Sequence, residues 1–365
     1  MERCAMDIEF VSTEMSGFYA YMFSNNRLNK LMINKQDSCF FNCMKTLLSS
    51  VCVGEINNID EFNAFIKEKL SDRPDKVEQF CHDSIKEMQE YSSFYQRHIE
   101  PITQYKRVIE NTQIDAQKGY SEDLAKLYDF FDVDKNFKCY GILAPVPKKE
   151  IDGCAIGNGF FMIFYDNEKK DNEKYIEDSF LPERKVSTPL HEATHALFER
   201  SKMKQELKNN QGEGVHKLLS VLDKYFNDNP DSKDRSVMLA VDEALAACSS
   251  MAVNTKYKPR ENFDVFYHGF EGANALAKSC YPVFQEYMKH GKKMDDDFFM
   301  QVATGFEMQQ KIENARKRLP YSSPVLQVKT IDELRGIRSN KASKPVKQTT
   351  LDVAAVKQKT IQNEG

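Results

Sequence analysis

The chain has no tryptophan, little glycine, no apolar run approaching the length of a membrane span and no strong excess of charge of one sign. Each absence removes a class of protein. With 51 Lys plus Arg against 55 Asp plus Glu, a formal charge of −4 lacks the basic surplus that nucleic-acid binding leaves in a sequence, so no nucleic-acid partner is expected. The longest apolar runs, such as 159–165 and 238–241, fall far short of the roughly 20 residues needed to cross a bilayer, so no membrane span is expected. Residues 1–30 carry acids at Glu2, Asp7, Glu9 and Glu14 and no apolar stretch behind a basic start, unlike a Sec signal peptide. The 9 cysteines are scattered and odd in number, the pattern of reduced thiols rather than of a disulfide framework. The expected location is therefore cytoplasmic, or outside the cell by a Sec-independent route.

What is present is enough apolar material for a sizeable core: 41% hydrophobic residues, including 25 Phe and 16 Tyr, in 365 residues. From about 10 to 135 the pattern is helical and nearly free of glycine. Val77, Phe80, Ile85, Met88, Tyr91, Phe94 and Tyr95, for example, recur at the spacing of an amphipathic helix. The period then changes. Residues 139–143 and 159–165 are short aromatic and β-branched runs bounded by Gly and Pro, which predicts two strands. Helical patterns return near 188–203, 214–227, 235–253, 265–289 and 295–317. Beyond Pro320 there is no Phe, a single Tyr and much Lys, Ser, Thr and Gln, the composition of a flexible tail. The expected division is thus a helical region at 1–135, a region of strands followed by helices at 136–320 and a tail at 321–365.

Residues 187–199 contain a complete His-Glu-x-x-His motif at His191, Glu192 and His195. Ser187 or Thr188 suits an N-cap and Pro189 the first helical turn, so the motif is expected to open a helix. Residues four apart share a helix face, which lets both imidazoles reach the same zinc ion. Leu190, Ala193, Thr194, Leu197 and Phe198 form an apolar stripe, with the histidines on its flank and Glu192 beyond them. Cys39 and Cys43 are too loosely spaced, and too far from any other thiol or imidazole pair, to predict a second metal site.

A catalytic zinc takes three protein ligands and an open position, so a third ligand must come from elsewhere. In the apolar helix at 235–253, Asp242 and Glu243 are the only charges between Val237 and Cys248. A buried carboxylate is costly without a partner, which makes Glu243 the expected third ligand and Asp242 a group that orients a ligand histidine by a hydrogen bond. Glu213 competes, being closer in sequence but in a polar, Gly-flanked segment. His216 is expected to be a surface or capping residue.

These residues resemble the zincin metallopeptidases, and specifically the gluzincin branch, over about 136–320. The resemblance rests on His191-Glu192-Ala193-Thr194-His195, on Glu243-Ala244-Leu245-Ala246 and on the strands upstream. The metzincin branch is excluded, because Phe198 and Ser201 stand where its glycine and third histidine would be. The gap from His195 to Glu243 is longer than in the commonest gluzincins. The resemblance implies an α+β, predominantly helical fold, with a zincin-like catalytic domain: a small mixed or antiparallel sheet before the motif helix and a helical C-terminal half. It also implies an edge strand that binds substrate backbone, a role that falls to residues 156–160 with Gly157, Asn158 and Gly159.

The expected reaction is zinc-dependent (Zn2+) hydrolysis of peptide bonds in a polypeptide substrate, with Glu192 taking the proton of the attacking water and delivering it to the leaving amine. Tyr267 and His268 are candidates by residue type for stabilising the oxyanion. Two rivals use the same residues. One is a protein-interaction module whose N-terminal helices bind a protein partner and whose zinc is structural. The other is a zinc hydrolase of a non-peptide amide or ester.

Overall fold

The structure, a computed structural model, describes residues 8–114, 120–134, 136–146, 153–157, 159–165, 182–230, 236–253 and 271–318. The described residues are mostly helical around a small mixed sheet. In chain order they form β1 (Glu9–Val11), α1 (Glu14–Ser24), α2 (Ser38–Cys52), α3 (Ile59–Lys69), α4 (Pro74–Ile114) and α5 (Tyr120–Phe131). Strands β2 (Tyr140–Pro145), β3 (Gly153–Gly157) and β4 (Phe160–Tyr165) follow. The C-terminal part holds α6 (Pro182–Arg200), α7 (Lys202–Lys208), α8 (Glu213–Asp228), α9 (Val237–Val253), α10 (Glu271–Lys289) and α11 (Asp296–Arg318).

The sheet has the order β1-β2-β4-β3. Its β1, β2 and β4 run parallel, and β3 returns antiparallel along β4 as an outer strand. Side chains alternate across a strand, so a sheet buried on both faces feeds two cores. On one face Phe10, Leu143, Phe161 and Ile163 belong to a core shared with α5 to α11 and with Ile102 of α4. On the other, Val11, Ile142, Ala144 and Met162 meet α1 to α4. With no Trp to fill space, aromatic rings do so: Phe130 lies edge-on to Phe284 and Phe298, with centroids 4.7 and 5.3 Å apart.

The boundary expected at residue 135 does not separate compact units. One unit runs from Met1 to Phe306 and a second from Glu307 to Gly365. The reason is β1: Glu9, Phe10 and Val11 pair with Tyr140, Gly141 and Ile142, so the N-terminal segment supplies a strand to the sheet. The tail expected at 321–365 lies outside the described residues.

The motif helix also begins earlier than expected. Pro182, not Pro189, occupies its first turn, where a missing N–H costs nothing. Pro189 lies buried inside α6 and removes one intrahelical hydrogen bond. Tertiary burial sustains the helix there, because Leu190, Ala193, Thr194, Leu197 and Phe198 are all fully buried. The helix expected at 188–203 is in fact two. Ser201 leaves helical geometry with ψ 147°, and its Oγ accepts the Lys204 N–H, capping α7. Among the described residues, no helix is long and apolar enough to cross a membrane.

Candidate metal centre

Two helices and one strand build the site. On α6, His191 and His195 are one turn apart, with ring centroids 4.8 Å apart and ring planes at 83°. Helix α9 packs against α6, which brings its two carboxylates, Asp242 and Glu243, to the histidines. The Nε2 atoms of His191 and His195 stand 3.1 Å apart, and Glu243 Oε2 lies 3.4 Å from the first and 3.8 Å from the second. An ion about 2.0–2.2 Å from each of three tetrahedral ligands sets them about 3.4 Å from one another, so the three donor atoms fit a shared zinc. Glu213 is not part of this group. It is exposed at the start of α8, and the Gly214 and Val215 N–H groups beside it donate to Asp296 at 2.9 and 3.0 Å.

His195 is oriented from behind. Its Nδ1 lies 2.7 Å from Asp242 Oδ1, a contact that makes Nδ1 the protonated nitrogen of neutral His195 and leaves the Nε2 lone pair facing His191 and Glu243. Burial pulls the His195 pKa down, but the hydrogen bond and charge of Asp242, with the charge of Glu243, raise it on balance. Burial pushes the Asp242 carboxyl up, and His195 and Lys204 more than offset this, holding it below its ordinary value.

Glu192 is only 6% exposed and turned against β3. The Ala155 backbone N–H donates to its carboxylate. Gly153 lets the strand approach: a Cβ there would lie 2.5 Å from Glu192 Oε1. Burial pushes the Glu192 carboxyl up to about 7; His191 pulls it down, Glu243 adds to the rise, the Ala155 N–H lowers it again and Asp242 raises it. Three carboxyl groups, those of Glu192, Asp242 and Glu243, thus gather with the ammonium of Lys204 around two imidazoles. That excess of carboxyl groups favours a cation among them.

Of the segment expected to bind substrate backbone, Gly157 ends β3, Asn158 lies outside the described residues and Gly159 forms the turn with φ 87°. The Gly159 carbonyl already accepts the Tyr140 N–H at 2.7 Å, and Phe160 begins β4, an inner strand bordered on both sides. Among the described residues the outer edge on this side is β3, which contains Ile156 and Gly157. Tyr267 and His268 lie outside the described residues. His216 is exposed, with Nε2 2.7 Å from the Asn210 carbonyl, as a capping residue would be. Cys39 is exposed and Cys43 buried, and neither belongs to the group of metal-ligating side chains found among the described residues.

Sequence reasoning missed Gly153 and Lys204. An isolated glycine within a strand signals close backbone approach, so Gly153 was legible in principle. Lys204, in Lys202-Met203-Lys204-Gln205, carries no local sign that it is buried. No family model, curated protein or solved structure matches the chain.

Proposed function

We propose that the chain is a zinc-dependent metallopeptidase with a zincin-like catalytic domain, in which His191, His195 and Glu243 hold the metal and Glu192 is the general base. The observation that carries this reading is the convergence of His191 Nε2, His195 Nε2 and Glu243 Oε2 within 3.1–3.8 Å, beside a buried carboxyl on the same helix. Zinc, when bound there, supplies Lewis-acid polarisation of water and of the scissile carbonyl. Glu192 takes the proton of the attacking water and hands it to the leaving amine. A carboxyl that burial raises above its ordinary value is suited to accepting a proton and giving it back. The Ala155 N–H and the close packing at Gly153 hold it in place. Asp242 keeps His195 in one orientation and one tautomer. The polypeptide substrate would add along β3, which among the described residues is an edge strand and lies beside Glu192.

A general base favours a hydrolase over a structural zinc site, which needs no carboxylate between its histidines. The test is zinc content by elemental analysis of the parent, Glu192→Ala and Glu243→Ala, paired with cleavage of a broad peptide library. The parent is expected to carry zinc. Glu192→Ala keeps it while cleavage falls by about 10²- to 10⁴-fold, and Glu243→Ala loses it. A parent without zinc overturns the reading. A parent with zinc that cleaves no peptide makes the site structural or the substrate a non-peptide amide or ester.

A further inference from the structure

The hydrogen bond behind His195 does not end at Asp242. The second carboxylate oxygen, Asp242 Oδ2, accepts from Lys204 Nζ at 2.7 Å, and the Lys204 side chain is only 8% exposed. Lys204 sits in the first turn of α7, where Ser201 caps it, and its ammonium lies 4.5 Å from the centre of the Phe198 ring. On its outer side it meets Glu199 at 3.4 Å, an exposed carboxylate that is shared with Lys208 at 3.1 Å. Burying an ammonium gives up hydration and rotamer freedom. A methionine would fill the same space without that cost, so packing alone does not account for a cation at this position. Asp242 does: with Oδ1 committed to His195 and Oδ2 to Lys204, both ends of the carboxylate are held and it cannot turn away.

We infer that Lys204 is a positioning residue: its ammonium clamps Asp242, which orients His195, so that His195 Nε2 stays on the point it shares with His191 and Glu243. The inference rests on the metal-site reading above and names a residue that touches neither metal nor substrate. The mark of such a role is that it acts through Asp242 alone.

The test is zinc affinity of the full chain, measured by competition with a chelator on the parent, Lys204→Met, Asp242→Asn and the double variant, with circular dichroism to check folding. Each single variant is expected to weaken zinc binding about 10- to 100-fold. The double variant is expected to be no more than about twofold worse than Asp242→Asn alone. A structural role for Lys204 would instead weaken binding as much in the Asp242→Asn background as in the parent. Should Lys204→Met lose its helical signal, Lys204→Gln, which keeps an N–H donor without charge, decides in its place. If the parent binds zinc and removing the charge changes its affinity by less than about twofold, this inference alone falls. If the effects of Lys204→Met and Asp242→Asn are fully additive, it also falls. A parent that binds no zinc takes down both this inference and the reading beneath it.

Discussion

Gly153 shows how much one missing methyl group can matter at the residue scale. Any Cβ there would press on Glu192 Oε1 at 2.5 Å and on its Cδ at 2.9 Å. Because β3 is fixed by its pairing with β4, the flexible end of Glu192 is the part that must yield. Gly153→Ala is therefore expected to leave zinc content unchanged and to lower the hydrolytic rate by about 10²-fold, the penalty of moving a reacting group by about 1 Å. Steady-state kinetics with metal analysis checks this, and an unaltered rate would show that Glu192 need not sit where β3 holds it. The histidines and Glu192 were legible from spacing alone, because a four-residue interval means one helix face in any globular protein. Their burial was not. Glu192 is buried because strand β3 covers its side of the helix.

At the element scale, helix ends show where sequence reasoning succeeds and where it stops. The run from Val237 to Cys248, whose only charges are Asp242 and Glu243, predicted a largely buried helix that presents two carboxylates. At the start of α8, the glycines flanking Glu213 serve a contact that no local pattern announces. A Cβ at Gly214 would collide with the Asp296 carbonyl, and Gly212 has φ 102° with no room for a Cβ beside the Asp296 carboxylate. These glycines let a carboxylate distant in sequence cap the helix through Gly214 and Val215. Asp296→Ala is expected to destabilise the fold by about 1–2 kcal/mol, read as a lower urea midpoint, without loss of zinc. An unchanged midpoint would mean that water serves those N–H groups equally well. The misplaced start of α6 has the same lesson: Pro189 marks a helix start by local rules, and packing carried the helix past it.

Across the whole molecule, the sheet carries a core on each face, and the core under α1 to α4 is tied together by one buried ion pair. Asp37 caps α2 through the Phe40 N–H and also accepts the Ile33 N–H and the guanidinium of Arg73, which in turn donates to the Leu31 carbonyl at 2.9 Å. Arg73 above all, with the two N–H groups, holds the Asp37 carboxyl well below the usual carboxylate range. A carboxyl depressed in the folded state contributes stability at pH above its unfolded value of about 3.9. That contribution drains away as the pH falls below it. Asp37→Asn is accordingly expected to unfold at lower urea than the parent near neutral pH, with the gap narrowing from about pH 5 to about pH 3. A gap that stays constant with pH would assign the effect to the lost cap geometry rather than to charge.

Helix periodicity, the histidine pair with its intervening carboxylate, and the lone charges of α9 follow from the order of residues alone. They depend on interactions within a few residues, where geometry repeats from protein to protein. The three-residue strand β1, the turn of Glu192 onto β3, the burial of Lys204 and the capping of α8 by Asp296 were decided only by tertiary structure. Each joins segments far apart in the chain, and whether such segments meet is set by how the two cores pack against the sheet rather than by any local preference.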